Sequence, residues 1–300
     1  MIKSYTITTA RGDSIKLEMT RPEKSGFIIS NVEGLGPTKS TINTTKTGTN
    51  HGSLYNSARL DQRNIVMSLI FCETTDESIE DIRHKSYKYF PINEKIELVV
   101  ETDKRTVKTE GYIETNEPTI YSSLSGCQVS IICPDPFFYS TYINKTTFSG
   151  VEPVFEFPFE NASITEPMLE FSTINNKTAE NIVYNGDFNT PITITIHANG
   201  NASNVTIYNT ETKEYMRIDT SKIPGSEILA GDTIIIDTKL GCRSATLIRD
   251  GAAINIFNSI NRDASWITLS KGVNVIAYKA DSGEKSLQFC IENKLVYTGV

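Results

Sequence analysis

The side chains that most often perform chemistry in proteins are sparse in this 300-residue chain. Three histidines are present: His51 in a glycine-rich stretch, His84 in a predicted helix, and His197 at the end of a predicted strand. The chain contains no HExxH, GxSxG, GxGxxG or phosphate-loop pattern. Asp232 and Asp237 flank the stretch GDTIIID, but hydrogen bonding within turns explains aspartates at strand ends. The sequence therefore predicts no catalytic residue, no metal site and no cofactor, and we expect a protein that is not an enzyme.

Cysteine spacing and net charge exclude further classes of protein. The five cysteines are an odd number without a CxxC pair, so neither a disulfide framework nor a zinc site is expected. A net charge of −7 argues against general affinity for nucleic-acid phosphates. The chain has no apolar run of about 18 residues and no signal-peptide pattern at its start. We therefore expect neither a nucleic-acid partner nor a membrane association.

Alternation of apolar and polar residues predicts a mainly β protein with two β-sandwich domains. In the first half, stretches such as SYTITT, NIVMSLIF and KIELVVET follow a period of two. In the second half, short strands such as TPITITIHA and SLQFCIEN are separated by turn signals, which is typical of a sandwich or jelly roll. RDG followed by AAINIF predicts a hairpin there.

One stretch, TTDESIEDIRHKSYKYFP, predicts a helix near residues 75–90 of the first domain. Thr74 is the predicted N-cap, with Glu77 three residues later as in a capping box. Acidic residues lie in the first turn and basic residues near the end, as the helix dipole favours, and Pro91 ends the helix. The predicted apolar face consists of Ile79, Ile82, Tyr87 and Phe90.

Residues 33–64 form an unusually long polar connection that is rich in threonine and interrupted by glycines. A compact domain rarely carries such a connection without a function. Alternation around STINTTKTG predicts an extended hairpin arm. Because a hairpin of this composition buries little surface by itself, we expect the arm to lie against a neighbouring chain.

The stretch SIICPDPFFYS places two prolines and three aromatic residues where the longer predicted strands of the first half give way to the shorter ones of the second. Pro134 and Pro136 restrict the backbone, and Phe137 and Phe138 offer stiff contact area. One interpretation is a seam that limits hinge motion between two domains. The alternative is two ordinary core aromatics followed by an exposed Tyr139.

Two stretches resemble a known family. The most specific is GSLYNSARLDQRNI, within the longer run from GLGPTKS to IVMSLIF, and the second is CPDPFFYS. With GDTIIIDTKLGCRSATLIRDGAAIN and ASWITLSKGVNVIAYKA further on, they resemble the distal tail proteins (Dit) of siphovirus-type bacteriophages and prophages over essentially the whole chain.

This resemblance implies a virion structural protein at the tail tip or baseplate, made in the cytoplasm of the bacterial host. It implies an N-terminal domain, residues 1–136, that carries the helix and arm and builds a hexameric ring, the hub of the tail tip. A galectin-like C-terminal β-sandwich, residues 137–300, would lie at the periphery and serve host attachment. The implied partners are copies of the chain itself, the tail tube protein, a tail-associated hub protein and receptor-binding or baseplate proteins.

A closed ring needs two unlike patches on each subunit that meet head to tail. The candidate residues for one patch lie in the arm and in the segment that follows it: Thr44, Thr45, Asn56, Arg59 and Arg63. The two arginines have the geometry for bidentate pairs with carboxylates of a neighbour. A surface or intrachain salt bridge is the open alternative for both.

Carbohydrate binding is the alternative function, in which the chain is an adhesion module that recognises sugars of the host cell wall. The candidate residue is Trp266, the one tryptophan of the chain, whose ring would stack on a sugar. The competing interpretation makes Trp266 a core anchor on a strand through ASWITLSKG. Because the alternation does not decide which face of that strand is buried, both interpretations stay open.

Overall fold

The computed structural model describes residues 1–46, 48, 51–119, 125–153 and 172–300, apart from the side chains of residues 149–153 and 172–176. The chain divides into two compact units. The first comprises Met1–Tyr142 together with Val296–Val300, and the second comprises Ile143–Leu295. The predicted domain boundary between residues 136 and 137 stays a prediction. The fold class is confirmed: the described chain is mainly β, with one α-helix and an extended arm in the first unit.

Within its described residues, the first unit opens with ten strands, one α-helix and one short 3-10 helix (Pro22–Lys24). The strands and the α-helix are β1 (Ile2–Thr9), β2 (Ser14–Glu18), β3 (Phe27–Glu33), β4 (Ser40–Thr45), β5 (Leu54–Leu60), β6 (Arg63–Phe71), α1 (Ile79–Tyr89), β7 (Lys95–Thr102), β8 (Thr106–Thr119), β9 (Gly126–Cys133) and β10 (Phe138–Ser140).

The second unit contains thirteen strands and three 3-10 helices (Thr220–Lys222, Phe257–Ser259 and Glu284–Ser286) within its described residues. Its strands are β11 (Asn144–Thr147), β12 (Ser149–Pro153), β13 (Ser172–Asn176), β14 (Ala179–Tyr184), β15 (Thr190–Ala198), β16 (Thr206–Asn209), β17 (Tyr215–Arg217), β18 (Thr233–Asp237), β19 (Ser244–Arg249), β20 (Ala252–Asn255), β21 (Thr268–Leu269), β22 (Gly272–Lys279) and β23 (Leu287–Asn293). The last strand, β24 (Val296–Tyr297), belongs to the first unit.

One antiparallel sheet dominates the first unit, in the order β2–β1–β7–β8–β9–β6–β3, with β10 pairing to β8 and β24 pairing to β10. Its strands follow the period of two that the sequence shows. In β6, Ile65, Met67, Leu69 and Phe71 are buried while the residues between them are half-buried. Burial of every second side chain is what one buried sheet face requires, and it sets the register of each strand.

The helix α1 covers part of this core, but it begins later than predicted. Its N-cap is Ser78, which forms a capping box with Asp81, so the prediction of Thr74 as N-cap is wrong. Thr74 Oγ1 instead accepts a hydrogen bond from the Glu77 amide at 3.0 Å, in a turn that precedes the helix. The sequence TTDESIED contains this capping pattern at both positions, and the later one is the one followed by regular helix.

The buried face of α1 also differs from the predicted one. Ile82, Ser86 and the following Phe90 are fully buried, at a spacing of four residues, while Ile79 and Tyr87 are exposed. Phe90 packs edge-to-face on Phe27 of β3. The helix therefore presents one narrow stripe to the sheet, because residues four apart lie on one side of a helix.

Within its described residues the second unit contains the separate two-stranded sheet β12–β13 and a sandwich of two larger sheets. One follows the order β11–β23–β15–β18–β19–β20 with β21 beside β15, and the other follows β14–β22–β16–β17. Tyr278 of β22 stacks on Phe289 of β23 with ring centroids 3.8 Å apart, and Phe148 packs on both. These rings join the two sheets through their inner faces.

The predicted RDG hairpin is present between β19 and β20. Arg249 pairs with Ala252 at the end of the ladder, and Asp250 and Gly251 form the two-residue turn with φ values of 50° and 78°. Two successive positive φ values define the turn that matches the twist of paired strands. The hairpin places β20 at the edge of the larger sheet.

Candidate functional site

Strands β4 and β5 pair with each other and form a separate two-stranded sheet, which we call the arm (residues 40–60). Every residue of β5 except Leu60 is exposed, as are the last four residues of β4. Residues 47, 49 and 50 of the connecting turn lie outside the described chain. The predicted hairpin arm is thus present, and its backbone hydrogen bonds are made within the hairpin rather than with the main sheet.

The register of the arm separates its side chains into two faces, because residues directly opposite in a ladder lie on one side. Ile42 is opposite Ala58, and Thr44 is opposite Tyr55, so these four share a face. Ile42 is 60% exposed and Tyr55 is 63% exposed. The arm therefore carries an uncovered apolar face on each isolated subunit.

The other face of the arm is mainly polar, although it includes Leu54 opposite Thr45, and side-chain hydrogen bonds cross-link it. Asn43 donates to Ser57 Oγ at 3.0 Å, and Asn56 donates to Thr45 Oγ1 at 2.6 Å. Asn56 lies where the register shifts by one residue, at a β-bulge. The structure thus brings two of the predicted interface residues, Thr45 and Asn56, into direct contact.

Four of the five predicted interface residues are exposed in the arm: Thr44, Thr45, Asn56 and Arg59. Arg63 is different, because it is the first residue of β6 and is only 1% exposed. A guanidinium that is enclosed by its own subunit is not placed to pair with a carboxylate of a neighbour. We therefore remove Arg63 from the interface set.

The Arg63 guanidinium is held by main-chain carbonyl groups. Its Nε and Nη2 donate to the Pro136 carbonyl at 2.9 and 2.7 Å, and Nη2 also donates to the Thr298 carbonyl at 2.7 Å. Its Nη1 donates to the Gly36 carbonyl at 2.6 Å and to the Gly34 carbonyl. Neither open alternative, a surface salt bridge nor an intrachain one, describes this arrangement.

We call this cluster the arm base: Arg63, the carbonyl groups of Gly34, Gly36, Pro136 and Thr298, and the Phe138 ring. The guanidinium carbon lies 4.3 Å from the centroid of Phe138. Burial lowers the pKa of Arg63, and the nearby Cys133 and Asp135 oppose that shift. An arginine nevertheless stays protonated at physiological pH, so the arm base holds a permanent buried charge.

Strand β24 completes the arm base from the far end of the sequence. Phe138 pairs with Tyr297 in the ladder between β10 and β24. Arg105 donates to the Gly299 carbonyl at 3.1 Å, and the Val300 amide donates to the Leu35 carbonyl at 3.0 Å. Segments from five parts of the sequence, including Arg105, therefore meet between the main sheet and the arm.

The proline and aromatic residues of CPDPFFYS lie within the first unit, before its division from the second. Phe138 is fully buried in the core, and Phe137 and Tyr139 are half-buried. Asp135 accepts hydrogen bonds from the Phe137 amide at 3.2 Å and from the Tyr139 hydroxyl at 2.6 Å. Pro134 and Pro136 frame this turn, and the predicted seam between domains stays a prediction.

The second unit carries an open cleft of about 530 Å³ at the end of β19 and β20. Arg243 and three residues of β19 line it, together with Asn255 and two residues of the 3-10 helix Phe257–Ser259. Asn255 Oδ1 accepts a hydrogen bond from the Phe257 amide at 2.9 Å, which positions the ring at the rim. Phe257 is 41% exposed.

Trp266 does not line the cleft itself. It is only half-buried, whereas the competing interpretation made it a core anchor on a strand. The predicted strand is limited to Thr268–Leu269, and Trp266 precedes it in a loop with φ of 43°. Its half-buried ring stacks on Phe257 at 5.4 Å, and Arg243 lies over it at 5.0 Å. A bulky residue with positive φ is a backbone outlier that costs on the order of 1–3 kcal/mol.

Asp232, Asp237 and His197, which were first considered for chemistry, have structural partners. Asp232 forms a buried ion pair with Arg249, and Asp237 accepts a hydrogen bond from the Lys239 amide at 2.8 Å. His51 and His84 are exposed, and His197 Nδ1 lies 3.0 Å from Thr233 Oγ1. Within the described residues, no three metal-ligating side chains come together, and no helix has the length and hydrophobicity to cross a membrane.

Comparison with protein families gives the class. Residues 14–171 match the family described as phage tail protein RIFT-related domain, and residues 185–290 match the siphovirus-type tail component, C-terminal domain. Because the first match spans more than half of the chain, the chain belongs to this family of phage tail proteins. The second match agrees with this assignment, because it lies within the second unit and has the description of a siphovirus-type tail component.

Comparison with solved structures agrees on the fold. The crystal structure of the Dit protein of phage SPP1, described as a paradigm of hub adsorption apparatus in phages that infect Gram-positive bacteria, aligns with a TM-score of 0.65. The alignment has 12% identity and covers 98% of this chain and 99% of that chain. A chain of the phage P2 baseplate in its activated conformation with Ca aligns over 98% of both chains at 11% identity. Its TM-score of 0.49 is too low to support a conclusion about the fold. No curated protein sequence matches the chain.

Proposed function

We propose that this distal tail protein assembles into a closed ring, of six subunits by resemblance to its family, that forms the hub between the tail tube and the baseplate. In this proposal the ring is scaffolding at the tip of the virion tail and performs no reaction. It is made in the host cytoplasm, and it binds the tail tube protein, a tail-associated hub protein and receptor-binding or baseplate proteins. Residues 1–136 build the ring, and residues 137–300 form the peripheral attachment domain.

The observation that carries this proposal is the arm. A two-stranded hairpin alone is marginally stable in water, and here its apolar face lacks a cover within the described subunit. Burying Ile42 and Tyr55 against a second subunit removes that exposed surface. Because the arm presents one patch and its receiving surface is a different patch, the contact is heterologous and closes into a ring when the rotation permits.

Thr44, Thr45, Asn56 and Arg59 are the proposed polar contacts of this interface. Thr44 lies on the apolar face, while Thr45 and Asn56 lie on the polar face. Both faces of an arm that inserts between neighbours are then in contact with protein. Arg59 has no ion pair within the described subunit, so its guanidinium is available for a carboxylate of the next subunit.

The test combines mass measurement by light scattering with negative-stain imaging. We expect rings for the native chain, by itself or with the tail tube protein, and monomers for the double variant Ile42→Asp with Tyr55→Asp. Leu240→Asp is the matched control, because Leu240 is a highly exposed apolar residue of the second unit. Rings formed equally well by the double variant would refute the role of the arm. A native chain that stays monomeric even with the tube protein would refute the ring.

A further inference from the structure

The cleft of the second unit combines an aromatic rim with polar side chains that have no partners. The side chains of Ser244, Thr246 and Asn258 line it, and they make no hydrogen bond within the described part of the chain. The amide nitrogen of Asn255 is likewise open, since only its oxygen is engaged. These hydroxyl and amide groups are donors and acceptors that suit a ligand rich in hydroxyls.

The aromatic rim is held rigidly before any ligand arrives. Ile256 and Ser259, on either side of Phe257, are buried, and the Ile256 amide donates to the Ala245 carbonyl at 2.9 Å. One face of Phe257 is covered by Trp266, which has an unusual backbone φ of 43°. Rigid support of this kind is typical of binding sites, where strained residues also concentrate.

The charge of the cleft favours an anion. Arg243 is exposed, lines the cleft and makes no ion pair within the described residues. None of the side chains that line the cleft is a carboxylate. The volume of about 530 Å³ falls in the usual range for small-ligand sites, roughly 300–1,000 Å³.

We propose that this cleft is a binding site for an anionic saccharide. The sugar ring lies against Phe257, its hydroxyls bind Thr246, Ser244 and the two asparagines, and its carboxylate or phosphate group pairs with Arg243. An aromatic face supplies a flat apolar platform, and a guanidinium binds planar oxyanions in a fork. The site goes beyond the proposed ring function, because a single subunit contains all of it.

The experiment uses the full-length chain, and Trp266 serves as the reporter because it is the one tryptophan present. Glucuronate, galacturonate, N-acetylneuraminate and glucose phosphate are titrated while Trp266 fluorescence is followed. We expect a saturable change with at least one of them and about tenfold weaker binding of its uncharged counterpart. Acetate is expected to give no change. A response to acetate equal to that of the sugar acids would mean an adventitious ion only, and silence across the panel would overturn the proposal.

Variants locate the site by ligand-observed NMR, which does not depend on the tryptophan. Phe257→Ala is expected to weaken binding at least tenfold, while Phe257→Tyr, which keeps the ring, retains it. Arg243→Gln is expected to remove the preference for the anionic sugar over its uncharged counterpart. Phe188→Ala is the matched control, because Phe188 is an exposed phenylalanine outside the cleft. Unchanged binding by a folded Phe257→Ala protein, or an unchanged preference in Arg243→Gln, would contradict the assignment.

Discussion

Arg59 and Arg63 lie four residues apart, yet they belong to regions of the first unit that are built in opposite ways. Arg59 belongs to the arm, whose strands bond to each other and leave most of their side chains exposed. Arg63 belongs to the arm base, where carbonyl groups of four residues surround one buried guanidinium. The same residue type serves a free surface in one region and a closed polar cluster in the other.

The difference separates folding from assembly. The arm buries little within its own subunit, so we expect substitutions there to change contacts with other chains and not the stability of the subunit. The arm base binds carbonyls from segments that are distant in sequence, so its loss leaves several buried acceptors without donors. Since Gly34 and Gly36 lie in the segment between β3 and β4, the arm base also sets the point from which the arm extends.

The largest effect is expected for Arg63→Ala. Removal of the guanidinium leaves the carbonyls of Gly36, Pro136 and Thr298 without this donor, which should lower the free energy of unfolding by about 3–5 kcal/mol. Urea denaturation followed by far-UV circular dichroism measures this loss. Trp266 fluorescence follows the second unit separately in the same samples.

Arg63→Lys is a second variant that keeps the prediction testable if the alanine variant does not fold. A lysine keeps the charge but lacks the planar fork that reaches several carbonyls at once, so a smaller loss of stability is expected. A native unfolding midpoint for both variants would show that the carbonyl cluster contributes nothing to the fold.

A somewhat smaller effect is expected for Gly34→Ala. Gly34 has φ of 82°, and a Cβ at this position would lie 2.0 Å from the Asn64 carbonyl oxygen. Left-handed strain and the clash together should cost roughly 2–4 kcal/mol in unfolding free energy. Gly36→Ala is the matched control, because no atom lies within 4 Å of its added Cβ. Equal midpoints for the two alanine variants in urea would contradict this account of the arm base.

The smallest effect on stability is expected for Arg59→Ala. Its side chain is exposed and unpaired within the described subunit, so the urea midpoint should equal that of the native chain. Ring formation, measured by light scattering over a concentration series, should nevertheless weaken if Arg59 pairs with a neighbouring carboxylate. A shifted midpoint with unchanged assembly would reverse the assignment of the two regions.

The period-two alternation of β6 includes Arg63 in its buried phase. The strand RNIVMSLIF places Arg63 in phase with Ile65, Met67 and Leu69, so the pattern itself predicts an inward-facing arginine. The prediction instead made Arg63 an interface residue, with a surface or intrachain salt bridge as the alternative, and buried charges are rare. What compensates the burial is a set of carbonyls that includes Thr298, which is 235 residues away in the sequence, and no local pattern indicates it.

The helix and the tryptophan show the same limit at shorter range. Two capping patterns overlap before α1, and which one starts the helix depends on where Ile82 and Phe90 reach the core. The alternation in ASWITLS predicted a strand through Trp266, whereas Trp266 has a left-handed backbone and its ring stacks on Phe257. Side-chain contacts between separate segments overrode the local preference in both cases.

By itself the sequence determined the mainly β architecture, the exposed hairpin arm, the helix and the family, because these depend on periodicity, turn chemistry and residue order within short stretches. The tertiary structure alone decided that Arg63 is enclosed, that β24 returns to the first unit, and that Phe257 and not Trp266 lines the cleft. Each of those facts depends on groups that are far apart along the chain and close in space. Hydrogen bonding and packing between such groups are settled only when the whole unit folds.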